Sequence, residues 1–135
     1  MWYVLEDDVP ANTTRANLRS TSIKVYGGVL HTIYALVPPG AGDTTHFQLR
    51  KGSYFILPRN EDKSMQGEFL NVPFREWLHL KAAENQLTLL TWNTSTKYTH
   101  KVRLLIGIEK KAVMEMEEKI VKDLRLFLRL FRRRT

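Results

Sequence analysis

With 135 residues, 43% of them apolar and 26% charged, the chain suits one globular domain plus an appendage and is too apolar for a disordered one. It contains no cysteine, which excludes a disulfide framework and a thiolate metal site, and no apolar run approaches the ~20 residues of a spanning helix. The net charge of +7 is concentrated late, where residues 119–135 hold seven basic groups against Asp123 alone; such a balance suits a polyanionic partner, although many proteins of this charge bind none.

Met1-Trp2-Tyr3-Val4 runs into Glu6-Asp7-Asp8 without a basic leading segment, so it does not read as a signal peptide, and the cytoplasm is the expected address. Trp2 to Leu5 reads as a short first strand and Asp7 to Ala11 as a turn. Asn12 or Thr13 then fits the cap of a short helix to about Ser20, with Arg15 and Arg19 one turn apart. Ile23 to Tyr26, Gly27-Gly28 and Val29 to Val37 make a hairpin pattern, because two glycines allow the positive φ of a tight turn. Pro38 to Asp43 is a loop without the Gly-Lys-Ser/Thr ending of a phosphate loop.

A second hairpin has Thr45 to Arg50 as one arm, Lys51-Gly52 as its turn and Ser53 to Leu57 as the return, with Phe47 and Leu49 on one face. Asn60 to Gly67 is polar and expected to be exposed. Pro73 fits the first turn of a helix to about Glu84, on which Phe74, Trp77 and Leu78 share a face. Leu87 to Trp92 and Lys97 to Ile106 form a third hairpin. In its second arm Val102, Leu104 and Ile106 alternate with Lys97, Lys101 and Arg103, giving an apolar and a basic face.

The clearest periodic signal is the last, Glu109 to Arg134, which has no Gly or Pro and is dense in good helix formers. At 100° per residue Val113, Met116, Ile120, Val121, Leu124, Phe127, Leu128 and Phe131 fall on one stripe, opposite Lys111, Lys122, Arg125 and Arg129. The preferred reading is a dimerisation helix. A helix docked on its own domain is the bland alternative, and membrane-surface insertion is disfavoured by the acidic residues of the first half. The expected fold is α+β: an antiparallel sheet built of hairpins with one or two covering helices over residues 1–107, and a long amphipathic dimerisation helix over residues 108–135.

Chemistry-bearing motifs are sparse. His31, His46, His79 and His100 are scattered without metal-ligand spacing, and no serine sits in a nucleophile elbow, so no metal, cofactor or enzymatic activity is expected. Aromatics interleaved with basic residues stand out instead. Arg50-Lys51 precede Tyr54-Phe55 and Arg59; Phe74-Arg75 lead through Trp77 to Lys81; Trp92 precedes Lys97, Lys101 and Arg103. Single-stranded nucleic acid requires both partners, cations for its phosphates and flat rings for its exposed bases. The plainer reading makes Phe74 and Trp77 a core face and the basic strand face a solvated one.

This layout, a small α+β body with aromatic and basic residues and a zipper-like terminal helix, resembles the ThermoDBP family of archaeal single-stranded DNA-binding proteins. The resemblance implies a cleft floored by Phe74, Trp77 and Trp92, rimmed by Arg75, Lys81, Lys97, Lys101 and Arg103, and a dimer joined through the C-terminal helix. Arg132-Arg133-Arg134 extends past the stripe and departs from that pattern. The resulting expectation is a sequence-tolerant single-stranded DNA-binding homodimer without a membrane role. Its alternatives are an RNA- or duplex-binding accessory protein, or a structural assembly protein that binds no nucleic acid.

Overall fold

The computed structural model describes residues 1–40 and 43–133. The chain forms β1 (Trp2–Val9), β2 (Arg19–Val25), β3 (Val29–Val37), β4 (Thr45–Lys51), β5 (Tyr54–Leu57), a two-residue β6 (Met65–Gln66), β7 (Phe69–His79), β8 (Asn85–Asn93), β9 (His100–Glu109) and the helix α1 (Lys111–Arg133). Two antiparallel sheets result. The first has the order β1-β9-β3-β7; the second has β2-β8-β4-β5, with β6 also paired to β4.

Apart from the β4–β5 hairpin and the short β6, each strand crosses to the other sheet from its predecessor. Setting aside the two-residue β6, two four-stranded sheets interleaved in this way form a jelly-roll sandwich. Its core lies between the sheets. Leu5, Val9, Ile33, Ala35, Val102, Leu104 and Ile106 reach in from the first sheet and meet Phe47, Leu49, Ile56, Leu87 and Leu89 of the second. These residues alternate along their strands with outward neighbours, the period-2 pattern that buries one face of a sheet. Asn93 closes the far end: its buried Nδ2 donates to Val9 O at 3.1 Å and Tyr98 O at 2.8 Å, tying the β8–β9 crossover to the end of β1.

The α+β expectation is overturned. Strand accounts for 54% of the structure and helix for 17%, and α1 is the only α-helix among the described residues. The helix expected from Pro73 is the edge strand β7, in which Phe74, Glu76 and Leu78 are half-buried while Arg75, Trp77 and His79 are exposed. Phe74, Trp77 and Leu78 fall at i, i+3 and i+4 and so imitate one face of a helix, although in the strand Trp77 lies on the opposite face from the other two. Proline is tolerated because an edge strand has one side on which a missing N–H breaks no ladder.

The helix expected at residues 12–20 is a single 3-10 turn, Arg15–Asn17, followed by β2, and β1 continues through the expected turn to Val9. Two of the three hairpins also dissolve, for β2 pairs with β8 and not β3, and β8 pairs with β2 and β4 and not β9. Gly27-Gly28 therefore serves a crossing between sheets. A Cβ on Gly28, whose φ is +154°, would collide with Glu109 O, so the crossing lies hard against the end of β9. The β4–β5 hairpin forms as expected around Gly52, at φ +57°.

Candidate functional site

The sandwich has two outer faces, and the chain treats them differently. Across the second sheet lies the segment 58–66, held by its backbone. Gln48 Nε2 donates to Glu61 O at 3.0 Å and to Lys63 O, His46 Nδ1 meets Ser64 Oγ at 2.9 Å, and Arg15 donates to Asp62 O at 3.0 Å and Glu61 O at 3.1 Å. Under this cover Trp92 is only 4% exposed, stacked on His46 at 5.1 Å and 7° between planes, with the Arg15 guanidinium 5.4 Å from its ring centre. Burial, reinforced by the Arg15 charge, holds the His46 imidazole below its ordinary pKa, which favours the neutral ring that stacks there. The segment from Asn60 is exposed over Asn60 to Lys63, as expected, while its backbone anchors it over its own sheet before β6 joins β4.

Among the described residues no such cover lies on the first sheet. Its outward side chains form cross-strand rows: Trp2, Gly107, Thr32 and Arg75; then Val4, Leu105, Tyr34 and Pro73; then Glu6, Arg103, Leu36 and Leu70. Trp2 is 48% exposed, Trp77 44% and Leu70 65%, so large apolar groups stand in water on one continuous surface. Trp2 leans over Gly107 toward His31 at 5.6 Å and Tyr34 at 5.7 Å, which the missing side chain of Gly107 permits. Beside it a cavity of about 440 Å³ is lined by His31, Thr32, Arg75, Trp77, Glu109 and Glu117, the last from the second turn of α1.

The helix carries the second uncovered surface. Met116, Ile120, Val121, Leu124, Phe127, Leu128 and Phe131 are all exposed, Phe127 at 58%, so the chain's own sandwich does not cover the stripe. From Met116 to Phe131 the stripe is therefore not docked on the sandwich in this structure. The side chain of Val113, the first residue expected on the stripe, lies outside the described residues. Leu126 and Leu130, exposed as well, stand off the stripe, which widens the apolar surface near the helix end.

The residues expected to bind nucleic acid do not form one cleft. Arg50, Lys51, Tyr54, Phe55 and Arg59 gather at the β4–β5 edge. There Arg59 donates to Glu76 at 2.9 Å and lies 5.9 Å from the Tyr54 ring centre. Phe74 points inward, packed against Phe69 at 5.8 Å, while Trp77 points outward and donates from Nε1 to His79 Nε2 at 3.1 Å. The three rings assigned to a common floor are therefore divided: Phe74 is half-buried, Trp77 is open, and Trp92 is sealed under the other sheet.

The expected rim is divided too. Lys81 lies in the turn beside Gly27 at one end of the sandwich, and Lys97 in the crossover tied to Asn12 at the other. Lys101 and Arg103 stand opposite Asp8 and Glu6 at 4.0 Å and 3.9 Å, so acids lie within the basic face. Trp2, Val4, Tyr34, Leu36 and Leu70 escaped notice. For Tyr34 and Leu36 the signal is the run Ile33 to Val37, apolar at both alternating positions, which marks a strand with two faces to bury; Trp2, Val4 and Leu70 have no such local signal.

No helix among the described residues is long and apolar enough to cross a membrane. Comparison with protein-family models, with curated proteins and with solved structures finds no match. The class therefore rests on topology: a jelly-roll sandwich bearing an uncovered C-terminal amphipathic helix.

Proposed function

We propose that the chain is a non-enzymatic assembly protein whose copies associate through α1. The observation that carries this reading is the bare stripe of seven large apolar side chains on a helix joined to the sandwich through Lys110 alone. Those side chains are 46–64% exposed, so burying half of the stripe on each of two copies contributes on the order of 5–10 kcal/mol. The freedom lost on association costs about 4–15 kcal/mol, the same order, so pairing along the stripe is expected to depend on concentration. The double variant Leu124→Glu/Phe127→Glu tests it: the reading expects a single copy in light scattering, with the sandwich melting as before. Unchanged assembly of that variant would refute it.

Single-stranded nucleic acid is the second reading, favoured by one feature. After Asp123 the helix carries Arg125, Arg129 and Arg132 with no acid among them, and Trp77 and Arg75 stand outward on β7. An oligonucleotide titration followed by tryptophan fluorescence is then expected to show quenching that weakens with salt and is lost in Trp77→Ala. A flat titration at low salt removes this reading and leaves assembly standing.

A further inference from the structure

We infer that the β1–β9 strip of the first sheet's open face is a contact between two copies of this chain, packed about a two-fold axis that runs along the strands and sets β1 of each copy over β9 of the other. The inference deepens the assembly reading above and rests on it for the local concentration of copies.

The charges of the face supply the first argument. Its β1 strip points Glu6 and Asp8 outward and its β9 strip points Arg103 and Lys101, paired in register. These ion pairs are long, at 3.9 and 4.0 Å, and their side chains are 46–69% exposed, which leaves each charge able to take a second partner. A contact between identical faces must be self-complementary. An axis along the strands exchanges β1 with β9 while keeping the position along them. Glu6 therefore comes over the other copy's Arg103, Asp8 over its Lys101, and Val4 over its Leu105. Trp2 comes over the other copy's Gly107, which that copy's own Trp2 ring already covers, so the two indoles meet across the axis.

Continuity with the helix supplies the second. This operation brings both helices out at the same end of the pair, where they can meet. One residue separates Glu109 of β9 from Lys111 of α1, so helix pairing holds the faces at an effective concentration of about millimolar. The exposed Trp2 and Val4 become interior to an aligned two-sheet packing, roughly 10 Å between backbones. A nucleic acid fits this strip less well, because Glu6 and Asp8 repel phosphate.

Because the protein has no cysteine, single-cysteine variants of the full chain report neighbours cleanly. A short bismaleimide is expected to join Val4→Cys into covalent dimers, and Leu124→Cys on the helix likewise, but not Lys24→Cys, which lies on the other sheet. Linkage at Leu124→Cys without linkage at Val4→Cys overturns the face contact and leaves helix assembly intact. Linkage at neither position sinks both, and linkage at Val4→Cys alone keeps the face and removes the helix pairing.

A charge experiment separates docking from collision. Within Val4→Cys, an acidic face (Lys101→Glu/Arg103→Glu) and a basic face (Glu6→Lys/Asp8→Lys) are each expected to lower linkage at least about tenfold. Mixing the two restores it if the faces meet. Full linkage in either variant alone contradicts the proposed register.

Discussion

Trp92 and Trp77 occupy outward positions on opposite sheets of one sandwich, and their fates differ. Over Trp92 the chain folds its own segment 58–66, an imidazole and a guanidinium; over Trp77 it folds nothing comparable. The difference does not lie in the strands, since both sheets show the same alternation and the same inward core. It lies in whether a later segment has backbone groups to spend on a cover. The second sheet offers Gln48 and His46 as anchors for such a segment, whereas Val4, Leu36 and Leu70 of the first have no side-chain group that a backbone could hydrogen-bond. A polar-edged face recruits its own chain, and an apolar face is left for another molecule.

Truncation tests the contrast where it is largest. Trp92→Ala is expected to cost about 3–5 kcal/mol in urea unfolding, because it removes a sealed ring and strips the stack from His46. Equal losses for Trp92→Ala and Trp77→Ala would erase the distinction between the faces. Next in size is Gly107→Ala, whose Cβ would lie 2.7 Å and 2.8 Å from two Trp2 ring atoms and 2.8 Å from His31 Cε1. Overpacking of this kind costs about 1–3 kcal/mol, toward the lower end here because the half-exposed Trp2 ring can swing aside. A change in Trp2 fluorescence should accompany it.

Titration sharpens the comparison at smaller scale. Burial opposes ionisation of Asp7, but hydrogen bonds from Arg19 at 2.8 Å and Thr91 at 2.9 Å outweigh it, so its carboxyl titrates below the ordinary 3.8. Stability from Asp7 is therefore present above that value and lost as pH falls through the lowered one. His46 likewise has a depressed pKa: the neutral stacked ring stabilises fully above the ordinary 6.5, and the gain is lost as pH falls through the lowered value. Melting temperature against pH should thus show two acid limbs. Asp7→Asn removes the lower limb and His46→Gln the upper; identical curves for all three proteins would contradict both assignments. Smallest of all, Trp77→Ala should change the stability of an isolated copy by no more than about 0.5 kcal/mol, as exposed positions do.

The sequence reveals α1 with nearly its true bounds, because a Gly- and Pro-free amphipathic stripe requires no knowledge of the rest of the fold. The β4–β5 hairpin is legible for the same reason, since Lys51-Gly52 and the alternation of Phe47 and Leu49 are local. Strand partners are not local. Nothing in Gly27-Gly28 or in residues 94–99 says whether the chain returns to its own sheet or crosses to the other, and the jelly roll is made of such crossings. Residues 73–84 resemble a helix because Phe74, Trp77 and Leu78 fall at i, i+3 and i+4, although in the strand Trp77 faces away from the other two, and only pairing with β3 decides between the periods. The candidate cleft failed with them, for its rings are adjacent only if that segment is helical.

Sedimentation equilibrium of the unaltered chain, across micromolar concentrations at moderate salt, tests most directly the claim that uncovered apolar surface is there to receive another copy. The account predicts a mass at a whole multiple of 15.8 kDa, falling toward that value on dilution. A steady 15.8 kDa at every concentration would mean that α1 and the open face remain in water, and would contradict it.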